Sequence, residues 1–289
     1  MKYDVLLYRF LLDYNSIEAC FIDNLIMKLN VQFVNAFTDV LFKGNSAAVI
    51  LIDNWLADDV MQSIATENNL SETAFVKEVD TDIHEIRWFS PITEIDFCGH
   101  ATLAASFVIF SNEEASRAIT FLTKAVGDLT VTQEAEGFIQ MSFPNRAPSE
   151  LSNIPKSLLK GLSIAPKEVL LSEQAYYVIY DNEKDVRNVV SNNELLKELA
   201  PYDVVVTATS NQYDFISRYF WPANGGDEDP VTGSIHAGLA PYWAHKLDKR
   251  ELIAFQTSKR GGLLKCKVEK ERVLVSGTAV QYLEGIITV

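Results

Sequence analysis

Positive charge and cysteine are both scarce in this chain, and each shortage argues against a class of function. The 25 lysine and arginine residues stand against 39 aspartate and glutamate residues, for a net charge of -14. Nucleic acids and membrane surfaces select basic patches, so we expect neither as a partner. The three cysteines are far apart and form no CxxC pair, which argues against a disulfide framework and a zinc site. We therefore expect a cytoplasmic protein without a bound metal.

Long apolar runs and the common cofactor motifs are missing as well. No stretch reaches the roughly 18 to 20 apolar residues that a membrane helix needs. The chain contains no GxGxxG, no Walker-type loop and no HExxH, so nucleotide binding, phosphoryl transfer and zinc-dependent hydrolysis lack support. These absences predict a protein that works without a membrane span and without a cofactor.

Residues 1–26 differ from the rest of the chain. They are partly apolar, but charged residues interrupt them, and they lack the charged start and clean apolar core of a signal peptide. The segment is either an extension outside the core, from an upstream start codon, or one extra packed helix. A strand-like segment follows at residues 31–37, so we place the start of the core at residue 27.

Two parts of the chain repeat one pattern 134 positions apart. The first copy contains Ile119, Phe121, Thr123, Gly127 and Leu129, and the second contains Ile253, Phe255, Thr257, Gly261 and Leu263. The same offset carries Gly99-His100 onto Gly233-Ser234. Upstream, Arg87-Trp88-Phe89-Ser90-Pro91 returns as Arg218-Tyr219-Phe220-Trp221-Pro222, at an offset of 131. Duplication of one unit is the simplest cause, and it predicts two similar halves.

The pattern of apolar residues predicts the architecture of each half. Short apolar runs bounded by turn residues predict strands throughout the core. Residues 101–110 and 235–243 are instead apolar at nearly every turn position, which is typical of helices buried on all sides. We predict an α+β fold of two pseudo-symmetric halves, each with strands around a central buried helix. The predicted N-terminal half comprises residues 27–145 with about 279–289, and the C-terminal half comprises residues 146–278.

Five short motifs in combination carry a resemblance to a known family. They are Asn35-Ala36-Phe37, Phe42-Lys43-Gly44-Asn45, Ser71-Glu72-Thr73-Ala74-Phe75, Cys98-Gly99-His100-Ala101-Thr102 and Asp229-Pro230-Val231-Thr232-Gly233-Ser234. From about residue 31 onward the chain resembles the PhzF family, the phenazine-biosynthesis-like isomerases of the diaminopimelate epimerase superfamily. Ser46 departs from the proline usual after Gly-Asn, a local change in a turn. The resemblance implies an epimerase-like fold, with a strongly curved mixed sheet or barrel in each half, and a homodimer.

The resemblance also implies catalytic roles for three residues. Glu72 matches the glutamate that moves a proton between substrate carbons in this family. His100 and Asp229 match residues that hold or polarise the substrate's amino or hydroxyl group. Each residue also has an alternative interpretation without a catalytic role. Glu72 could be an exposed residue at the start of a strand, and His100 a capping or packing residue. Asp229 could be a helix N-cap at the end of a loop.

A second set of residues could bind the substrate's carboxylate. Gly99, Gly233 and Ser234 lie at the starts of the two predicted buried helices. Backbone N–H groups there lack intrahelical partners and carry the positive end of the helix dipole, so they can stabilise a carboxylate without lysine or arginine. Gly44 and Asn45 are further candidates for binding. Alternatively, the glycines only permit tight packing.

Cysteine separates two branches of the superfamily. Diaminopimelate epimerase uses a thiol from each half, whereas the 134-residue offset here pairs Cys98 with Thr232. Threonine is too weak an acid to replace a thiolate. We therefore predict a cofactor-independent isomerase in which one glutamate moves a proton, and with it a double bond, within a small carboxylate. The alternatives are an amino-acid epimerase or racemase, and a non-catalytic small-molecule binding protein of the same fold.

Overall fold

The computed structural model describes residues 27–112 and 116–289. Residues 1–26 lie outside these ranges, so the structure tests neither interpretation of that segment. The described helices are α1 Asp58–Asn68, α2 Gly99–Phe110, α3 Lys156–Gly161, α4 Glu183–Asn188, α5 Asn193–Leu196 and α6 His236–Leu247, with 3-10 turns at Ala135–Gly137, Lys197–Leu199 and Pro222–Asn224. None of them is both long and apolar enough to pass through a membrane.

Eighteen strands are present in the described part of the chain, and all belong to one mixed sheet. They are β1 Lys28–Ala36, β2 Asn45–Leu51, β3 Glu72–Asp80, β4 Ile83–Phe89, β5 Glu94–Ile95, β6 Ala118–Leu122, β7 Leu129–Gln133, β8 Ile139–Pro144, β9 Ser149–Glu150, β10 Glu168–Leu171, β11 Ala175–Ile179, β12 Asp203–Thr209, β13 Phe215–Phe220, β14 Glu228–Asp229, β15 Glu251–Gln256, β16 Gly262–Val268, β17 Arg272–Gly277 and β18 Ala279–Thr288.

Strand order shows the predicted internal symmetry. The first half runs β18, β1, β2, β3, β4, β6, β7, β8, with parallel pairs at β2/β3 and β4/β6. The second half runs β9, β10, β11, β12, β13, β15, β16, β17, with parallel pairs at β11/β12 and β13/β15. Short β5 and β14 extend β4 and β13 in the same way. The exact limits of the predicted halves stay a prediction.

The two halves join through a pairing between equivalent strands. β8 runs antiparallel to β17, so the chain forms one continuous sheet. Among the described strands, β18 pairs only with β1 and β9 only with β10, so neither half closes into a barrel. The predicted α+β fold is confirmed, with a curved open sheet in place of the barrel alternative.

Each half wraps its sheet around one buried helix, as the all-apolar segments predicted. α2 contacts β1, β2, β3, β8 and β18, which are strands from both ends of the first half. α6 contacts β15, β16 and β17 in the second. A single apolar core cluster includes both helices and strands of both halves. The helices therefore begin in the interior, where the two halves meet.

Candidate active site

The starts of the two buried helices approach each other closely. α2 begins at Gly99, and a Cβ atom placed on this glycine would lie 3.7 Å from the Cα atom of Gly233. α6 begins at His236, one residue later than predicted, because Gly233 and Ser234 form a tight turn ahead of it. In this turn each N–H bonds the carbonyl three residues back, as in a 3-10 turn. The predicted carboxylate-binding residues thus lie together between the halves.

Glu72 begins β3 and is buried with only 7 % of its surface exposed. Its Oε2 atom accepts no well-oriented hydrogen bond within the described part of the chain, although His100 Nε2 lies 2.8 Å away. A buried carboxylate oxygen normally has a donor, because burying one without a partner is unfavourable. Because a carboxylate oxygen can accept more than one hydrogen bond, Glu72 can accept a further one from a ligand beside its contact with His100.

His100 lies in the first turn of α2, where three neighbours surround its ring. Burial alone would favour the neutral ring, but the neighbouring Cys98 sulfur and Glu72 carboxyl group outweigh it and raise the pKa of His100 well above 6.5. Burial also raises the pKa of the Cys98 thiol to about 11. His100 therefore favours its charged form in this pocket.

Cys98 caps the start of α2. Its sulfur accepts a hydrogen bond from the Ala101 N–H at 3.5 Å and lies 3.4 Å from His100 Nδ1. The Cys98 carbonyl accepts a 2.6 Å hydrogen bond from the Thr102 hydroxyl. Its equivalent in the second half, Thr232, instead donates its hydroxyl proton to Asp229 Oδ2. The paired positions therefore hold a neutral thiol and a hydroxyl.

Asp229 enters the site at the end of β14. Asn45 Nδ2 donates a 2.7 Å hydrogen bond to its Oδ1 atom and also lies 3.1 Å from His100 Nδ1. Burial raises the pKa of Asp229 to about 6, although His100 and the hydroxyl of Thr232 work in the opposite direction. Asn45 thus links the two predicted polar residues, His100 and Asp229, across the halves.

Gly44, a predicted binding residue, lies in a turn and does not line the cavity. Its backbone has a positive φ of 67°, and an added Cβ would lie 2.2 Å from the Ala36 carbonyl oxygen. Its N–H donates to Gly261, and its carbonyl accepts from Arg260 of the second half. Gly44 therefore positions Asn45 without contacting the site itself.

Several residues outside the predicted set also contribute to the site. Asp203, Tyr219 and Trp221 line its cavity, and Gln256 Nε2 donates to the Asp229 carbonyl. Gln256 is fully buried in β15, where its Oε1 atom also accepts from the Thr232 N–H. Tyr219 and Trp221 belong to the stretch that repeats at an offset of 131, and the same offset carries Glu72 onto Asp203. This offset is the signal that could have found these three residues.

The cavity between the halves has a volume of about 150 Å³. Its lining residues are Ser71, Glu72, Ile95, Phe97, Cys98, Gly99, His100, Asp203, Tyr219, Trp221, Asp229, Thr232, Gly233 and Ser234. A larger chamber of about 550 Å³ shares Phe97 and Ser234 with it. The site can therefore enclose a small polar molecule, with room for a bulkier group next to it.

Three of these residues could also coordinate a cation. Ligand atoms of Glu72, Cys98 and His100 all lie within 4.8 Å of one another. Carboxylate, thiolate and imidazole together suit zinc, but the thiol would first have to lose its proton. The same three groups suit proton transfer without that step.

The structure has an epimerase-like fold, with a polar cavity between two similar halves. A family model described as phenazine biosynthesis-like protein matches residues 34–285. An uncharacterized isomerase of Pseudomonas aeruginosa is 45% identical over 262 residues, which cover 90% of this chain and 99% of that protein. A second uncharacterized isomerase, from Halalkalibacterium halodurans, is 43% identical over 264 residues, covering 90% and 98%. The chain belongs to the PhzF family of isomerases.

Solved structures give the same assignment. The crystal structure of a PhzF family protein from Enterococcus faecalis superposes with a TM-score of 0.86 at 39% identity, covering 90% of this chain and 99% of that one. A hydroxyproline epimerase from Agrobacterium vitis superposes with a TM-score of 0.58 at 10% identity, covering 91% and 93%. The second likeness shows the fold alone, and it confirms the predicted epimerase-like architecture.

Proposed function

We propose that this protein is a cofactor-independent isomerase that moves a proton within a small carboxylate substrate, with Glu72 as the single acid–base group. One observation carries the proposal: a buried glutamate in contact with His100 lines a cavity that both helix starts also line. Buried acidic groups in a cleft are candidates for general acid–base catalysis.

The substrate's carboxylate binds between the two helix starts. Gly99, Gly233 and Ser234 supply backbone N–H groups and a hydroxyl at this place, and no lysine or arginine lines the cavity in the described part of the chain. The positive ends of the helix dipoles stabilise an anion there. They also stabilise the negative charge that spreads onto the carboxylate when a neighbouring carbon loses its proton.

Glu72 then moves the proton. Its carboxylate takes a proton from one substrate carbon, and the electron pair left behind shifts the double bond toward the next carbons. The protonated Glu72, whose carboxyl proton can exchange with solvent, returns a proton to the carbon at the far end of the shifted system. His100 and Asp229 hold the amino or hydroxyl group of the substrate, which keeps both carbons within reach of one base.

The substrate class follows from the family and from the size of the site. An amino-hydroxy-cyclohexadiene carboxylate, such as a dihydro-hydroxyanthranilate, has one carboxylate for the helix starts and polar groups for His100 and Asp229. It also has a carbon-bound proton next to a double bond. The cavity and its neighbouring chamber leave space for such a ring.

Deuterium incorporation tests the role of Glu72. Wild-type protein in heavy water should rearrange a dihydro-hydroxyanthranilate and place deuterium on carbon, whereas Glu72→Gln should reduce the rate at least about 100-fold, as loss of a general acid–base does. Glu78→Gln, an exposed change on the same strand, is the matched control. Wild-type rates in Glu72→Gln would rule out the mechanism.

A further inference from the structure

A second carboxylate lies in the second half at the position that Glu72 holds in the first. Glu72 begins β3 opposite Ala47 of the parallel strand β2, and Asp203 begins β12 opposite Ala175 of the parallel strand β11. In both strands the next residue pairs with a phenylalanine of the following strand. Both carboxylates line the same cavity. The pseudo-two-fold therefore relates Asp203 to the proposed base.

The two equivalent carboxylates have opposite surroundings. Glu72 has an oxygen without a well-oriented donor, whereas both oxygens of Asp203 are occupied. Asn224 Nδ2 donates to Asp203 Oδ1 at 2.7 Å, and the Tyr219 hydroxyl donates to Oδ2 at 2.5 Å. Burial raises the pKa of Asp203, and these two hydrogen bonds act in the opposite direction. Because both oxygens already accept from protein donors, Asp203 is suited to orienting its neighbours.

A hydrogen-bond chain connects Asp203 to the carboxylate-binding residue Ser234. The side-chain amide of Gln174 donates from Nε2 to the Tyr219 oxygen at 2.9 Å and to Ser234 Oγ at 3.0 Å. An ionised Asp203 can only accept hydrogen bonds, so the Tyr219 hydroxyl donates its proton to Asp203. The Tyr219 oxygen must therefore accept the hydrogen bond from Gln174. Ser234 in turn accepts from Gln174, which leaves its own proton free for a ligand.

We propose that Asp203 is a positioning residue that, through Tyr219 and Gln174, keeps the Ser234 hydroxyl as a donor to the substrate's carboxylate. The proposal rests on the proposed function. An asparagine at position 203 can donate to the Tyr219 oxygen, which releases the tyrosine proton to a rotated Gln174 carbonyl. Ser234 then donates its proton to that carbonyl as well, so the hydroxyl can no longer donate a hydrogen bond to the ligand.

A double-mutant cycle on ligand binding tests the proposal. Dissociation constants for anthranilate, an aromatic amino-carboxylate, are measured by calorimetry for wild type, Asp203→Asn, Ser234→Ala and the double variant. Losing one hydrogen bond to a carboxylate should weaken binding about tenfold in each single variant. Because both changes remove the same bond, the double variant should also bind about tenfold more weakly. Asp181→Asn, an exposed change, is the matched control and should bind like wild type.

Three outcomes decide the question. Wild-type affinity in Asp203→Asn, or additive losses near 100-fold in the double variant, would overturn the role of Asp203 and leave the proposed function intact. Absence of binding of anthranilate and of other small carboxylates to wild type would overturn both proposals. If Asp203→Asn fails to fold, Tyr219→Phe interrupts the same chain and should give the same non-additive loss with Ser234→Ala.

Discussion

At the scale of single residues, Cys98 and Thr232 separate this site from a two-thiol epimerase. Burial raises the pKa of the Cys98 thiol to about 11, so it is neutral at physiological pH. A neutral thiol is a poor base and a poor nucleophile. The sulfur serves instead as the side-chain cap of α2.

Replacing Cys98 should therefore separate folding from activity. Cys98→Ala should lower the free energy of unfolding by about 1 kcal/mol, the usual effect of a lost helix cap, and keep most of the deuterium incorporation. Cys266→Ala, which removes another buried thiol away from the cavity, is the control. Complete loss of exchange in Cys98→Ala would instead favour thiol chemistry and an epimerase.

Asp229 should make stability depend on pH. Its carboxyl ionises near pH 3.8 in the unfolded chain, while burial raises its pKa to about 6 in the folded protein. The folded state keeps the proton on Asp229 up to a higher pH than the unfolded state does. The contribution of this carboxyl group to the free energy of unfolding therefore falls as pH rises from about 4 to 6. By linkage the fall amounts to roughly 3 kcal/mol at most.

Asp229→Asn removes this titration and should flatten the profile. In urea unfolding at pH 4, 5, 6 and 7, the variant should gain stability relative to wild type as pH rises, while losing activity. Any hydrogen bond that the substitution breaks shifts the whole curve equally and leaves its slope unchanged. Parallel curves for the two proteins would contradict the raised pKa.

Short sequence motifs identified Glu72, His100 and Asp229, and the 134-residue offset of the repeat identified the two facing helix starts. That offset places Cys98 opposite Thr232 and Gly99 opposite Gly233. Gly99 and Gly233 do meet between the halves, and Cys98 and Thr232 line the same cavity. Asp203 escaped notice because a three-residue insertion moves upstream positions to an offset of 131. Gln256 could not be predicted, because its role depends on side-chain contacts made after the strands pair.

At the scale of secondary-structure elements, paired arginines hold the short strands that border the site. Arg87 donates two 2.7 Å hydrogen bonds to Glu94 of β5, and Arg218 donates bonds of 2.8 and 2.9 Å to Glu228 of β14. Two-point arginine–carboxylate contacts fix orientation as well as distance. In the second half this contact holds the strand that ends in Asp229.

The facing starts of α2 and α6 predict a change that affects binding more than folding. A methyl group on Gly99 would meet its nearest neighbour at 3.6 Å, an ordinary contact, yet it would stand between the two helix starts. Gly99→Ala should therefore unfold like wild type but bind anthranilate at least about tenfold more weakly, since it blocks close approach to the backbone. Gly285→Ala, also without a clash, is the control. Unchanged affinity in Gly99→Ala would place the carboxylate elsewhere.

Elements differed in how well their sequence specified them. The buried helices were predictable because composition alone marks a helix without a polar face. The pairing of β8 with β17 was not, because it joins residues more than 100 positions apart and depends on no local pattern. That pairing decides between two closed barrels and one open curved sheet.

At the scale of the whole molecule, the homodimer expected from the family remains a prediction. A candidate interface lies on β18, where Tyr282 and Ile286 are 55% and 65% exposed and Phe42 packs edge-on against Tyr282. Exposed apolar patches of this kind often mark interfaces.

Light scattering after gel filtration should give twice the chain mass for wild type, and Ile286→Glu should shift the measured mass toward that of the monomer. Ile92→Glu, at an even more exposed isoleucine, should stay dimeric. A monomeric wild type would contradict the prediction.

The seam between β8 and β17 also bears on the ancestry of the chain. Equivalent strands that pair antiparallel across a two-fold axis are the contact that two identical chains make in a symmetric dimer. An ancestor of half this length would thus have built the same sheet from two copies, with the same acid on both faces of its cleft. After fusion into one gene the two copies could diverge. The carboxylate at position 72 could then stay reactive while the equivalent carboxylate at position 203 came to position its neighbours.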